Sequence, residues 1–204
     1  MVFRTLLDDA TSRLRRLYRF MSGSSFVASR SELVSAGFEP SRIDNWIRSG
    51  RLIKVVRSVY SYGRDVETSS AVYRAALLAV GSGSALTGRS ACEAWGIVKP
   101  GPGIPTSIEV GTRFGGARKL CGVSPALRRT EIKVRRRRFE PDDLRQKNGL
   151  QLTRPALALI EFAGEATDRE IRFAFLEACR LKLFDGKDLE YCFTRMAGRR
   201  GARK

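Results

Sequence analysis

The sequence predicts an α+β fold, with an N-terminal winged helix-turn-helix followed by a mixed α/β domain. Three observations predict it. The stretch Ser29–Gly63, SRSELVSAGFEPSRIDNWIRSGRLIKVVRSVYSYG, carries two short helical patterns, a tight turn and two β-branched runs. Beyond it, helix-like and strand-like patterns alternate to residue 197. A polar link, Arg64 to Ser69, separates the two regions. The expected domains are therefore 1–65 and 66–197, followed by a basic, disordered tail at 198–204.

Leu7, Ala10, Leu14, Leu17 and Met21 recur at spacings of three and four, which predicts a helix over 3–21 with one apolar seam. Arg13, Arg15, Arg16 and Arg19 crowd its other faces and read as solvated scaffold charge. Ser22 to Ser25 form a joint, and Phe26 and Val27 start an extended segment. Ser29 and Glu32 have the S-x-x-E spacing of a capping box, so a helix begins there. Gly37 closes it in a left-handed turn. Pro40 fits the first turn of the next helix. Ile43, Trp46 and Ile47 share one face of that helix; Ser41, Arg42, Asn45 and Ser49 lie opposite, with Arg48 in its last turn. Gly50 ends it. Leu52–Val56 and Val59–Tyr62 read as strands joined at Arg57 and Ser58.

In the second region, Ala71–Val80 is an apolar helix broken by residues 81–84. In Ala85–Ile97, Thr87 or Ser90 caps a helix that turns Ala91, Ala94 and Trp95 inward. Residues 98–105 form a Gly/Pro loop. Thr106–Phe114 and Leu127–Phe139 alternate as strands, with Ile132 and Val134 buried. Leu150–Leu152 is a short strand, and Thr153 caps a helix with Pro155 in its first turn. Ala156, Leu159, Ile160 and Ala163 form its apolar face. Thr167 opens a helix to Leu181, with Ile171, Ala174, Phe175 and Ala178 inward. A last helix runs from about Lys187 to Met196.

The chemistry points to a polyanion. The chain has 204 residues and a formal net charge of +17, from 38 Lys+Arg against 21 Asp+Glu. Such an excess speaks about partners rather than fold. A second helix in a helix-turn-helix enters the major groove. Arg42 suits guanine there and Asn45 suits adenine. Lys54 and Arg57 on the wing suit phosphate, which positions without specifying. The run Arg135, Arg136, Arg137 and Arg138 is the densest charge in the chain and reads as a phosphate-binding ridge or a dock for an acidic protein. The bland reading is a helical hairpin on a sheet with a solvated basic face.

Other classes are disfavoured. Histidine is absent, which removes Ser-His-Asp and Cys-His catalysis and His-containing zinc sites. Cys92, Cys121, Cys179 and Cys192 are widely separated, form no C-x-x-C and read as buried free thiols. Asp142 and Asp143 are adjacent, so they face different ways and make a poor nuclease pair. No apolar run spans a membrane, and the N-terminus is no signal peptide, so the expected setting is the cytoplasm, with no membrane, metal or cofactor.

GRLIKVVRSVYSYG, then AALLAVGSGSALTGRSACEAWGI, then GLQLTRPALALIEFAG, resemble in their order the AbiEi family, the antitoxins and autorepressors of type IV toxin–antitoxin systems used in phage defence. The resemblance covers about Ser22 to Arg200. It implies a winged helix bound to double-stranded operator DNA and an α/β domain tied to repression and antitoxicity. The functional partner it implies is an AbiEii-like nucleotidyltransferase toxin, opposed without a necessary stable complex. Three departures stand out. Ser58 replaces the usual wing glycine. Leu157 and Ala158 stand where an Arg-Thr pair is usual. Many relatives also continue past the GRRGARK region into a Vsr-like endonuclease domain; this chain is expected to stop there, so no nuclease activity is carried over. The alternative is an orphan or phage-type repressor with no toxin.

Overall fold

The protein is an α+β molecule, and the computed structural model describes residues 2–114 and 118–196. The elements are α1 (Val2–Ser22), β1 (Val27–Ser29), α2 (Arg30–Ser35), α3 (Pro40–Arg48), β2 (Leu52–Val56), β3 (Val59–Tyr62), α4 (Ser69–Val80), β4 (Ser84–Leu86), α5 (Gly88–Trp95), β5 (Ser107–Thr112), β6 (Arg118–Cys121), β7 (Glu131–Arg136), β8 (Leu144–Lys147), β9 (Leu150–Thr153), α6 (Pro155–Ala163), α7 (Asp168–Arg180) and α8 (Gly186–Met196). The expected tail at 198–204 lies outside the described residues, as do the side chains of Leu7, Ala10 and Cys121.

Local chemistry sets the N-terminal elements. Glu32 N donates to Ser29 Oγ at 3.1 Å, and Ser29 N donates to Glu32 Oε2 at 2.9 Å. This reciprocal box starts α2. Gly37, at φ +83°, makes the left-handed turn into α3, whose first residue is Pro40. β1, β3 and β2 form an antiparallel sheet in that order. Its β2–β3 hairpin turns at Arg57 and Ser58, and Ser58 sits at φ +60°. A left-handed serine costs about 1 kcal/mol that glycine avoids.

Apolar clusters cover both faces of this sheet. One holds Leu17, Met21, Leu33, Ile43, Trp46 and Leu52 under α1, α2 and α3. The other joins Val27, Val55, Val56 and Val59 to α4 and the second sheet. α4 therefore lies between two sheets and touches strands of both. Packing runs straight across the expected boundary at 65/66. Polar contacts cross it too. Ala126 N donates to Asp65 Oδ2 at 2.9 Å, and Arg74 Nε to Val27 O at 2.9 Å. The register of β2 slips between Lys54 and Val56, and the Val55 carbonyl accepts from Val123 N at 2.9 Å.

The second sheet has the order β6-β7-β5-β4-β9-β8, with β5/β7 and β4/β9 parallel and the other pairs antiparallel. Ile108, Val110, Ile132 and Val134 fall in the buried cluster with α4. Strand alternation sends Glu109, Lys133 and Arg135 to the opposite face.

Several expectations are corrected. Thr153 does not cap α6. Arg154 is the N-cap residue, and the Thr153 Oγ1 is buried without a hydrogen bond because β9 carries that side chain into the core. α6 is buried on nearly every side, Leu157, Ala158 and Phe162 included, as suits a helix that is apolar all round. On α7, Ala174 and Ala178 face the core, but Phe175 is 41% exposed and Cys179 is also exposed. Each lies one residue, about 100° of helix, beyond that buried line. Trp95 is half-buried, with its Nε1 donating to Thr153 O at 2.8 Å. Among the described residues no helix is long and apolar enough to cross a membrane.

Candidate nucleic-acid interface

α3 is held by its apolar side. Ile43 and Trp46 are buried, and the Trp46 ring meets Phe38 edge-on at 5.4 Å. Phe38 in turn meets Phe20 of α1 at 6.0 Å. Arg16 Nη2 donates to Ala36 O at 2.6 Å, and its guanidinium lies 5.2 Å from the Phe38 ring centroid. That α1 arginine is therefore a brace for the turn rather than free charge.

With Ile43 and Trp46 turned inward, helical spacing points Ser41, Asn45, Arg48 and Ser49 outward, and all four are exposed. Arg42 is half-buried on the flank. Lys54 and Arg57 are exposed on the hairpin. None of Arg42, Arg48, Lys54 and Arg57 forms a salt bridge among the described residues. An α-helix with its side chains is about 10–12 Å across, close to the major-groove width of about 12 Å.

One acid sits on this face, and the structure neutralises it. Arg30, the first residue of α2, grips Asp44 with both terminal nitrogens, at 2.7 and 3.0 Å. Its guanidinium holds the Asp44 carboxyl below the usual carboxylate range. Sequence reasoning missed this pair because Arg30 and Asp44 meet only across the turn. It also missed Arg51, an exposed cation between α3 and β2. The signal for Arg51 was its place between Gly50 and the first strand.

The run Arg135–Arg138 does not form one ridge. Its backbone is extended, so successive side chains part to opposite sides. Arg135 pairs with Glu165 at 2.6 Å and lies 4.0 Å from Glu109. Arg137 is half-buried against Glu161, with Met196 Sδ at 3.5 Å. Arg136 and Arg138 are exposed, and Arg138 reaches Glu140 at 3.6 Å. Of the four expected phosphate contacts, two are held by glutamates inside the domain.

Those glutamates converge on the N-terminus of α5. Gly88 N donates to Glu161 Oε2 at 2.9 Å, and Arg89 N to Glu109 Oε2 at 2.9 Å. With Glu165 they border a cavity of about 210 Å³. Burial, reinforced by the neighbouring Glu165 carboxylate, pushes Glu109 up to about 7. Arg135 holds Glu165 below its ordinary value. A side chain at Gly88 would run into the Glu109 carboxylate. Position 109 lies some fifty residues before 161 and 165, so only Gly88, in the T-G-R-S segment, hinted at a close approach.

Among the described residues no group of three or more His, Cys, Asp or Glu side chains is placed to hold a metal ion. Asp143 is buried and lies 3.1 Å from Arg195, whereas Asp142 is exposed, so the two do not converge. Comparison of the chain with protein-family models and with curated proteins finds no match.

Proposed function

We propose that the protein is a sequence-specific double-stranded DNA-binding repressor that reads its operator with α3. In this reading α2, α3 and the β2–β3 hairpin act as a winged helix-turn-helix. One observation carries it: α3 is fixed from behind by Ile43 and Trp46 while Ser41, Asn45 and Arg48 face outward, and its one acid on that face is clamped by Arg30. Asn45 and Arg42 supply base contacts. Lys54 and Arg57, with Arg136 and Arg138 as further candidates, supply phosphate contacts.

The resemblance to AbiEi antitoxins supports a narrower role: cytoplasmic autorepressor and antitoxin opposing a nucleotidyltransferase toxin. The orphan-repressor reading is favoured by one observation. Leu157 and Ala158, which replace the Arg-Thr pair usual in that family, are buried core residues. Co-expression with a nucleotidyltransferase encoded alongside separates the two: rescue of growth supports the antitoxin role, and unrelieved toxicity rejects it.

Footprinting of the full chain on its own upstream region tests the DNA reading. Asn45→Ala should relax discrimination at one base pair by about 1–3 kcal/mol. If that variant and the native chain rank operator sequences identically, α3 does not read bases through Asn45.

A further inference from the structure

The face of the molecule formed by α7 and α8 is unusually apolar for an exposed surface. Phe173 is 62% exposed, Leu176 64% and Phe193 41%. Between the helices runs a groove of about 480 Å³, floored by Leu159 and Ala163 of α6 and walled by Phe175, Leu176, Leu189 and Phe193. Contiguous apolar exposure of this kind marks interaction sites more often than bare surface. A trough bounded by helices suits another helix, whose anchors recur at i, i+3, i+4 and i+7.

The charge around the groove says what that helix carries. Arg172 lines this groove and, with Arg169 and one acid, Asp168, the depression beside it around Phe173 and Leu176, so the arginines outnumber the acid there. The Arg169 guanidinium stacks 5.7 Å from the Phe173 ring centroid. Neither arginine forms a salt bridge among the described residues, whereas Arg89, Arg135, Arg137 and Arg154 each hold a carboxylate. A second copy is a poor occupant, because each chain carries +17 and apposing the same face sets these arginines against their equivalents.

We propose that this groove docks an amphipathic helix of a partner protein, its apolar face in the trough and its flanking carboxylates on Arg169 and Arg172. This site is separate from α3 and independent of the DNA reading.

The test uses the full chain and three labelled helical peptides of about five turns. One has a leucine face flanked by glutamates; the second has the same face flanked by lysines. The third has the acidic composition scrambled so that no face forms. Fluorescence anisotropy should show the first binding at least about tenfold tighter than either control, a gap of about 1.4 kcal/mol. Leu176→Gln and Arg172→Glu change exposed positions, and circular dichroism verifies that each variant is folded. Leu176→Gln should weaken the acidic peptide about tenfold, and Arg172→Glu should shift preference toward the lysine peptide. Equal binding of the amphipathic and scrambled acidic peptides would show bulk attraction and overturn the proposal. So would binding indifferent to both substitutions. Self-association in sedimentation that Leu176→Gln abolishes would assign the groove to a second copy, which also overturns it.

Discussion

Two basic regions of this protein differ in how their charge is held. Arg42, Arg48, Lys54 and Arg57 are spread thinly over the N-terminal elements, and none forms a salt bridge among the described residues. Arg135 to Arg138 are consecutive, yet Arg135 and Arg137 are held by Glu165 and Glu161. Charge density along a chain is therefore a poor guide to charge available to a partner. What decides is where the backbone period sends each side chain and whether an acid is waiting there.

The largest expected effect tests that division directly. Arg137→Ala removes the guanidinium from Glu161, whose side chain is only 7% exposed. Breaking one side of a buried pair costs about 3–5 kcal/mol. Arg138→Ala, at a side chain 87% exposed, should cost less than about 0.5 kcal/mol. Urea denaturation of both variants measures the contrast. Equal midpoints would mean that Arg137 is no more structural than its neighbour and would erase the distinction.

The next effect concerns DNA and depends on the repressor reading. Each phosphate contact adds about 0.9 to the slope of log K against log salt. Replacing Lys54 and Arg57 together by Ala should flatten that slope by about 2 while leaving operator ranking intact. Arg135→Ala should leave the slope unchanged, since its charge is matched within the domain. A slope that responds to Arg135 and not to the hairpin would invert the comparison. Phosphate contact would then lie on the second sheet.

How much of this was legible follows the same line between local and distant chemistry. The capping box at Ser29, the turn at Gly37, Pro40 opening α3 and the limits of β2 and β3 all depend on neighbours within a few residues, and all are present. The outward face of α3 was legible because 3.6-residue periodicity fixes it once Ile43 and Trp46 turn inward. β4, β6 and β8 were missed: three or four residues are too few for alternation to show. Phe175 was misjudged because periodicity gives a face but not the width of the element covering it. The continuous core across residue 65 was invisible, since Val55 and Val59 have no sequence feature naming α4 as their neighbour.

The smallest effect concerns how the acids of the second region hold its arginines. Glu109 is raised to about 7, from an ordinary value near 4.5. The folded protein therefore binds more protons than the unfolded chain between those two values. Its stability must fall as pH rises through that window. Glu165 is lowered by Arg135, so its own linkage operates below the ordinary value and does not overlap. Glu109→Gln keeps an oxygen that accepts from Arg89 N but removes the titration. Between about pH 5.5 and 8 the native chain should lose on the order of 1 kcal/mol more than the variant, because Glu109 is only 13% exposed but has Arg135 at 4.0 Å to support its charged form. Urea midpoints across that range read the difference. Parallel curves would mean that Glu109 is already ionised beside Arg135, making the guanidinium a partner of both carboxylates rather than of Glu165 alone.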